Sequence, residues 1–280
     1  MAATRTAINA ALALVVAALA AWLLLRPQAQ SPPAQPLAEI DPAAAQHIRL
    51  ERAGLTPLEF ARDGGHWRLT APVAARADDH KVERLLEVTR ARATATFPAQ
   101  DLAQYELESP AASLAVDGRA IAFGMVNPVT SQQYVLAGGA VHAVSPRYFA
   151  ALPLDAADVI SRTLLAPGET LAGIELPGVA ARRGADGWTL AGAAAGLSRD
   201  DLNVWVDRWR HAIAAEADAL AAGDDPRAGA ALVLEDGRRV DLALERSPAG
   251  VLVTRLDERV RYRFPADVGA ALLTPPGAAD

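Results

Sequence analysis

"GGHWRLTAP" at residues 64–72 and "ADGWTLAGA" at residues 185–193 carry nearly the same message, offset by 121 positions from Trp67 to Trp188. Each sets a Gly or an Asp-Gly before a tryptophan, then one polar residue, then a leucine. Alternation puts Trp67 with Leu69, and Trp188 with Leu190, on one face of a strand, while the glycines mark the turn before it. Reading outward from both, the agreement persists. Asp78-Asp79 offers an N-cap and a first-turn acid, and Val82, Leu85, Leu86, Thr89 and Ala93 follow at helical spacing. In the second stretch Ser198 caps and Asp201 stands at the capping-box position, followed by Leu202, Trp205, Val206, Trp209 and Ile213. Asp117-Gly118 and Asp236-Gly237 each mark a hairpin turn, and Pro146 and Pro265 each precede a short closing helix.

Four features recurring in one order predict an α+β protein built of two tandem repeats. Each repeat is an antiparallel sheet with one long helix packed on it. The boundaries drawn are 43–165 and 166–280. The expected core anchors are Trp67 and Leu85 in the first repeat and Trp188, Val206 and Trp209 in the second.

The segment before the repeats has a different character. Residues 7–25 hold no charge, and nineteen residues at 1.5 Å each span about 28 Å, the thickness of a bilayer core. Trp22 sits near one end, where an aromatic ring favours the interface. The reading is an uncleaved signal-anchor transmembrane helix over 1–26, with a cleaved signal peptide as the alternative. Residues 27–42, "PQAQSPPAQPLAEIDP", favour an extended stalk. The positive-inside rule is nearly silent on orientation, since Arg5 and Arg26 flank the span on either side.

The first repeat resembles a bacterial family catalogued as domain of unknown function 4340. The resemblance lies in "GGHWRLTAPVAARADDHKVERLLEVTRARA", "YELESP" and "FGMVNPVTSQQYV". The residues that carry it are Trp67, Pro72, Ala77, Asp78, Tyr105, Leu107, Pro110, Gly124, Tyr134 and Val135. Together they cover most of residues 46–150. Glu106 stands where the family usually has Gly, a departure that bears on the turn there. The resemblance implies a membrane-anchored, extracytoplasmic body, and for some members association with ABC-type transporters.

Composition and motifs narrow the chemistry. The 280-residue chain has no cysteine, which excludes disulfides, thiolate catalysis and Cys-ligated zinc. Its net charge of −6 argues against nucleic acid as a partner. Of His47, His66, His80, His142 and His211, no two stand at i, i+4 on a helix. Asp78, Asp79 and His80 are adjacent, so they point apart and suit capping better than metal binding. No nucleophile elbow, P-loop or dinucleotide glycine pattern occurs, and no cofactor is expected. In "ERVRYRF", Arg259, Arg261 and Arg263 alternate with Val260, Tyr262 and Phe264. That pattern is either a solvated face balanced by cross-strand acids such as Asp241 and Glu245, or an anion or partner contact.

The expectation that follows is a non-enzymatic module held in the bacterial inner membrane by residues 7–25, its globular part in the periplasm. It would serve binding or assembly, with a membrane complex such as an ABC-type transporter as partner. The alternative is an envelope hydrolase or ligand-modifying enzyme with its site between the repeats.

Overall fold

The computed structural model describes Leu37, residues 40–192 and residues 197–276. The signal-anchor helix expected over 1–26 and most of the stalk lie outside the described residues. Among the described residues, no helix is long and apolar enough to cross a membrane.

Strands dominate. The first half contains β1 (His47–Arg52), β2 (Leu58–Asp63), β3 (His66–Ala71), β4 (Ala75–Arg76), α1 (Asp79–Leu86) and β5 (Ala95–Pro98). It continues with β6 (Ala112–Val116), β7 (Arg119–Val126), β8 (Gln133–Ala137), β9 (Ala140–Val144) and α2 (Arg147–Ala150). The second half contains β10 (Leu171–Leu176), β11 (Val179–Gly184), β12 (Gly187–Gly192), α3 (Arg199–Arg210) and β13 (Glu216–Ala219). It ends with β14 (Ala230–Leu234), β15 (Arg239–Ser247), β16 (Gly250–Arg255), β17 (Val260–Phe264) and α4 (Ala266–Leu273).

These strands make two antiparallel sheets, of nine and eight strands. The first runs β4-β3-β2-β1-β6-β7-β8-β9-β5 and the second β12-β11-β10-β14-β15-β16-β17-β13. With β4 set aside, the two orders correspond strand for strand. Register agrees as well: Trp67 pairs with Arg62 and Trp188 with Arg183, each one step from a two-residue turn.

The helices are shorter than the apolar spacing predicts. Asp78 caps α1 by accepting from the His80 and Lys81 amides. After eight residues α1 tightens into a 3₁₀ turn, Glu87–Arg90, where the Thr89 hydroxyl donates to Leu86 O at 2.8 Å. Ala93 therefore lies beyond the helix. Likewise α3 stops at Arg210, and Ile213, expected on its buried face, is 64% exposed. The N-cap forms, with Ser198 Oγ accepting from the Asp201 amide at 3.1 Å, but the Asp201 carboxylate takes the Ser198 hydroxyl at 2.7 Å in place of the backbone N–H that would complete a capping box. Trp205 and Trp209 each donate an indole N–H to Leu272 O at 2.9 Å, which ties α3 to α4.

Trp67, Leu85, Val206 and Trp209 are buried as core anchors. Trp188 is not: it is half-buried at the margin of the core, with the Arg210 guanidinium 5.7 Å from its ring centroid. The difference lies at the sheet edge: β12 is the outermost strand, whereas β3 has β4 beside it. A second difference concerns one residue of the expected stalk: Leu37 is 3% exposed and joins the apolar core. Burying a leucine is worth about 1.5–3 kcal/mol.

One apolar cluster runs through both halves. The connecting segment between them acts as a shared strap. Asp78 N donates to Val159 O and Ser161 N to Arg76 O on the first side, both at 2.8 Å. On the second side Leu164 N donates to Ala212 O at 3.0 Å and Ala214 N to Arg162 O at 2.9 Å.

Candidate functional site

The strap floors a cleft of about 840 Å³ between the halves. Its first wall comes from β3, β4 and the loop joining them; its second comes mainly from the β16–β17 hairpin. That hairpin is one place where the two halves differ. In the first half Ala137 and Ala140 close the equivalent turn over Gly138-Gly139. In the second, Arg255 and Val260 close it over four residues, Leu256 to Arg259. The longer turn needs a left-handed residue, and Arg259 takes it at φ 53°. Asp257, Glu258 and Arg259 reach the cleft as a result.

Two buried arginines organise the site. Arg76, at the end of β4, pairs with Glu258 Oε1 at 2.7 Å, with both side chains nearly buried. It also donates to Tyr262 OH at 2.8 Å and to the strap carbonyls of Thr163 at 2.8 Å, Leu165 at 3.2 Å and Leu164 at 3.3 Å. Arg255, 1% exposed, donates to Glu169 Oε2 at 2.7 Å, Asp257 Oδ2 at 2.7 Å and Leu164 O at 2.9 Å. A strap of irregular backbone buried between two sheets would otherwise leave carbonyls without donors, and the two guanidinium forks supply them.

The electrostatics follow from burial. Desolvation alone would lower the Arg255 pKa, but hydrogen bonds to Glu169 and Asp257 outweigh it and the pKa is raised. For Glu169 burial pushes upward, yet Arg255, the Ala166 amide and the charge of Arg238 hold the carboxyl below its usual range. Burial, opposed by Arg76 and aided by Glu258, pushes Tyr262 above its usual range. Its hydroxyl donates to Glu258 Oε2 at 3.1 Å. All three carboxylates lining the cleft, Glu169, Asp257 and Glu258, therefore bind arginine.

The three alternating arginines of the last hairpin separate. Arg261 pairs with Asp224 at 3.6 Å and Arg263 with Glu216 at 2.9 Å, so acids of β13 and the loop after it neutralise them. The expected acid Asp241 binds Arg239 instead, at 2.9 Å. Arg259 lies just before β17 and borders the cleft, donating to Asp224 O at 3.0 Å and Ala221 O at 3.2 Å. Val260, Tyr262 and Phe264 face inward, as the period-two pattern predicts. The histidines stay apart. Asp79 accepts from the Trp67 amide at 2.7 Å and contacts His66 Nδ1 at 2.6 Å, while Asp78 turns to its cap. Among the described residues, no three His, Asp or Glu gather as a metal site.

Away from the cleft, four of the residues that carry the family resemblance, Tyr105, Leu107, Gly124 and Tyr134, meet on the outer face of the first sheet. Tyr105 and Tyr134 pack edge to face with ring centroids 4.7 Å apart, and Phe97 lies 6.1 Å from each. A Cβ on Gly124 would come within 2.1 Å of Tyr105 O, so only glycine lets that segment lie down on β7. The family model described as Domain of unknown function (DUF4340) matches residues 67–225, more than half of the 280 residues.

The chain belongs to this family.

The DUF4340 match begins at Trp67 and runs past the stretch 46–150 on which the resemblance was read, into the second half. It takes in Arg68, Arg76 and Glu169 but stops before Arg238, Arg255 and the β16–β17 turn. No curated protein and no solved structure matches the chain. Sequence reasoning missed Arg76, Glu169, Arg255 and Glu258. The signal that could have found them was the charged turn "LDER" standing where the first half has "GG".

Proposed function

We propose that this DUF4340 chain is a non-enzymatic binding or assembly module, anchored in the bacterial inner membrane by residues 7–25 with its globular part in the periplasm. Its body is a duplicated unit, divided at about residue 165, and its partner is a membrane complex of the ABC-transporter kind. The observation that carries the reading is the cleft itself. Its carboxylates are fixed in ion pairs with Arg76 and Arg255, which makes them fasteners between two halves rather than free general bases. The corresponding strand orders support the duplication. Anchor and orientation rest on the apolar run of residues 7–25 and the family resemblance.

Two experiments test the reading. Affinity capture of the full chain from detergent-solubilised membranes should bring down a companion in fixed stoichiometry; the chain arriving alone overturns the assembly role. A C-terminal alkaline phosphatase fusion should be active, and an inactive fusion beside an active cytoplasmic reporter reverses the orientation.

A further inference from the structure

Five arginines line the cleft, Arg68, Arg76, Arg238, Arg255 and Arg259, against the three carboxylates Glu169, Asp257 and Glu258. This excess sits in a chain whose net charge is −6. The carboxylates serve chiefly the two buried arginines, with Arg238 sharing Glu169 at 3.3 Å and otherwise pairing with Asp236. Arg259 binds only backbone carbonyls among the described residues. The Arg68 side chain has neither a hydrogen bond nor an ion pair among them, and register sets the residue directly opposite Arg76 across β3 and β4. Like charges on directly opposed residues destabilise a sheet. Arg259 adds a left-handed backbone that costs a non-glycine residue about 1 kcal/mol. Two unfavourable placements therefore put two guanidiniums without carboxylate partners on one cleft, one on each wall.

We infer that the cleft is a binding site for a phosphate-bearing ligand, held between Arg68 of the first half and Arg259 of the second, with Arg238 at the rim. A phosphate monoester brings nearly two negative charges and three acceptor oxygens, which suits arginines supplied by two walls better than a single carboxylate does. The cleft volume of about 840 Å³ accommodates a small phosphate ester or a phospholipid headgroup. The inference deepens the binding-module reading by naming what its cleft takes.

The test is calorimetric titration of the full chain in neutral detergent with glycerol 3-phosphate, and separately flotation with vesicles containing phosphatidic acid, whose headgroup is likewise a phosphate monoester. Saturable binding of glycerol 3-phosphate in preference to succinate is expected. Arg68→Gln and Arg259→Gln should each weaken it about tenfold or more. Arg183→Gln, at the far hairpin, should leave it unchanged. Vesicle binding that glycerol 3-phosphate competes away assigns the ligand to a lipid headgroup; soluble binding without it assigns a free ester. No binding of either probe, a preference for succinate, or undiminished affinity in both cleft variants overturns the proposal. A companion captured from membranes in the face of that failure leaves the module reading standing, so the two fail separately.

Discussion

Trp67 and Trp188 occupy the same register in corresponding hairpins, yet their surroundings differ. Trp67 is 1% exposed beneath α1, whereas Trp188 sits at the core margin under the Arg210 guanidinium. Trp67→Ala should cost about 3–5 kcal/mol, and Trp188→Ala only about 1–2 kcal/mol, because less area leaves water at the second site. Urea denaturation of the two variants checks the difference, and equal losses would contradict it. Glu106 is the second case. It stands where the family usually has glycine, and it keeps the glycine-like conformation at φ 55°, ψ 35°. Glu106→Gly should stabilise by about 0.5–1 kcal/mol, the relieved left-handed strain exceeding the added freedom of the unfolded chain. A rise in the urea midpoint with unchanged slope would show it. Spacing and turn residues made the two tryptophans visible in the sequence, and the family resemblance singled out Glu106. How deeply each indole would be covered was not visible, because coverage depends on where the next element ends.

The elements repeat this lesson. Alternation and Asp-Gly or Gly-Gly turns located the hairpins, since strand period and turn chemistry are local properties. The helices overran, because an apolar 3.6-residue period continues through Ala93 and Ile213 after the backbone has already turned. The cap was legible: Ser198 takes the Asp201 amide as its position predicts. Ser198→Ala should cost about 1 kcal/mol, read as a lowered thermal midpoint, while Ser198→Asp should retain most of the stability. The arginine ladder was legible as a strand face but not as ion pairs. Its acids come from β13 and the loop after it, more than thirty residues upstream, and β13 joins β17 only in the folded sheet. The charged β16–β17 turn was equally hidden, since its partner Arg76 lies 182 positions away.

For the whole molecule, the decisive contacts are those that cross between halves. Removing the Glu258 carboxylate leaves Arg76 buried without its counter-charge, so Glu258→Ala should destabilise by about 3–5 kcal/mol. Arg76→Met combined with Glu258→Met should recover a large part of that loss; a double variant no better than the single one would assign the effect to the strap carbonyls instead. Glu169 sets an acid limit. Its folded pKa lies below its unfolded value, so between the two the unfolded chain binds more protons and stability rises with pH. The contribution is complete above the usual Glu value of about 4.3 and fades as pH falls through the lower, folded value. Acid unfolding of Glu169→Gln should accordingly lack that portion of the slope, being weaker near neutrality and converging on the parent at low pH.

The strap, hydrogen-bonded to both sheets and clamped by Arg76 and Arg255, has one more implication. It braces the two halves against each other at their join. A guest arriving between the sheets meets jaws already set at their working distance, so none of its affinity is spent on a closing motion. Selectivity must then come from the shape of the opening and the placement of its charges, as in a lock cut once, rather than from a hand that grips.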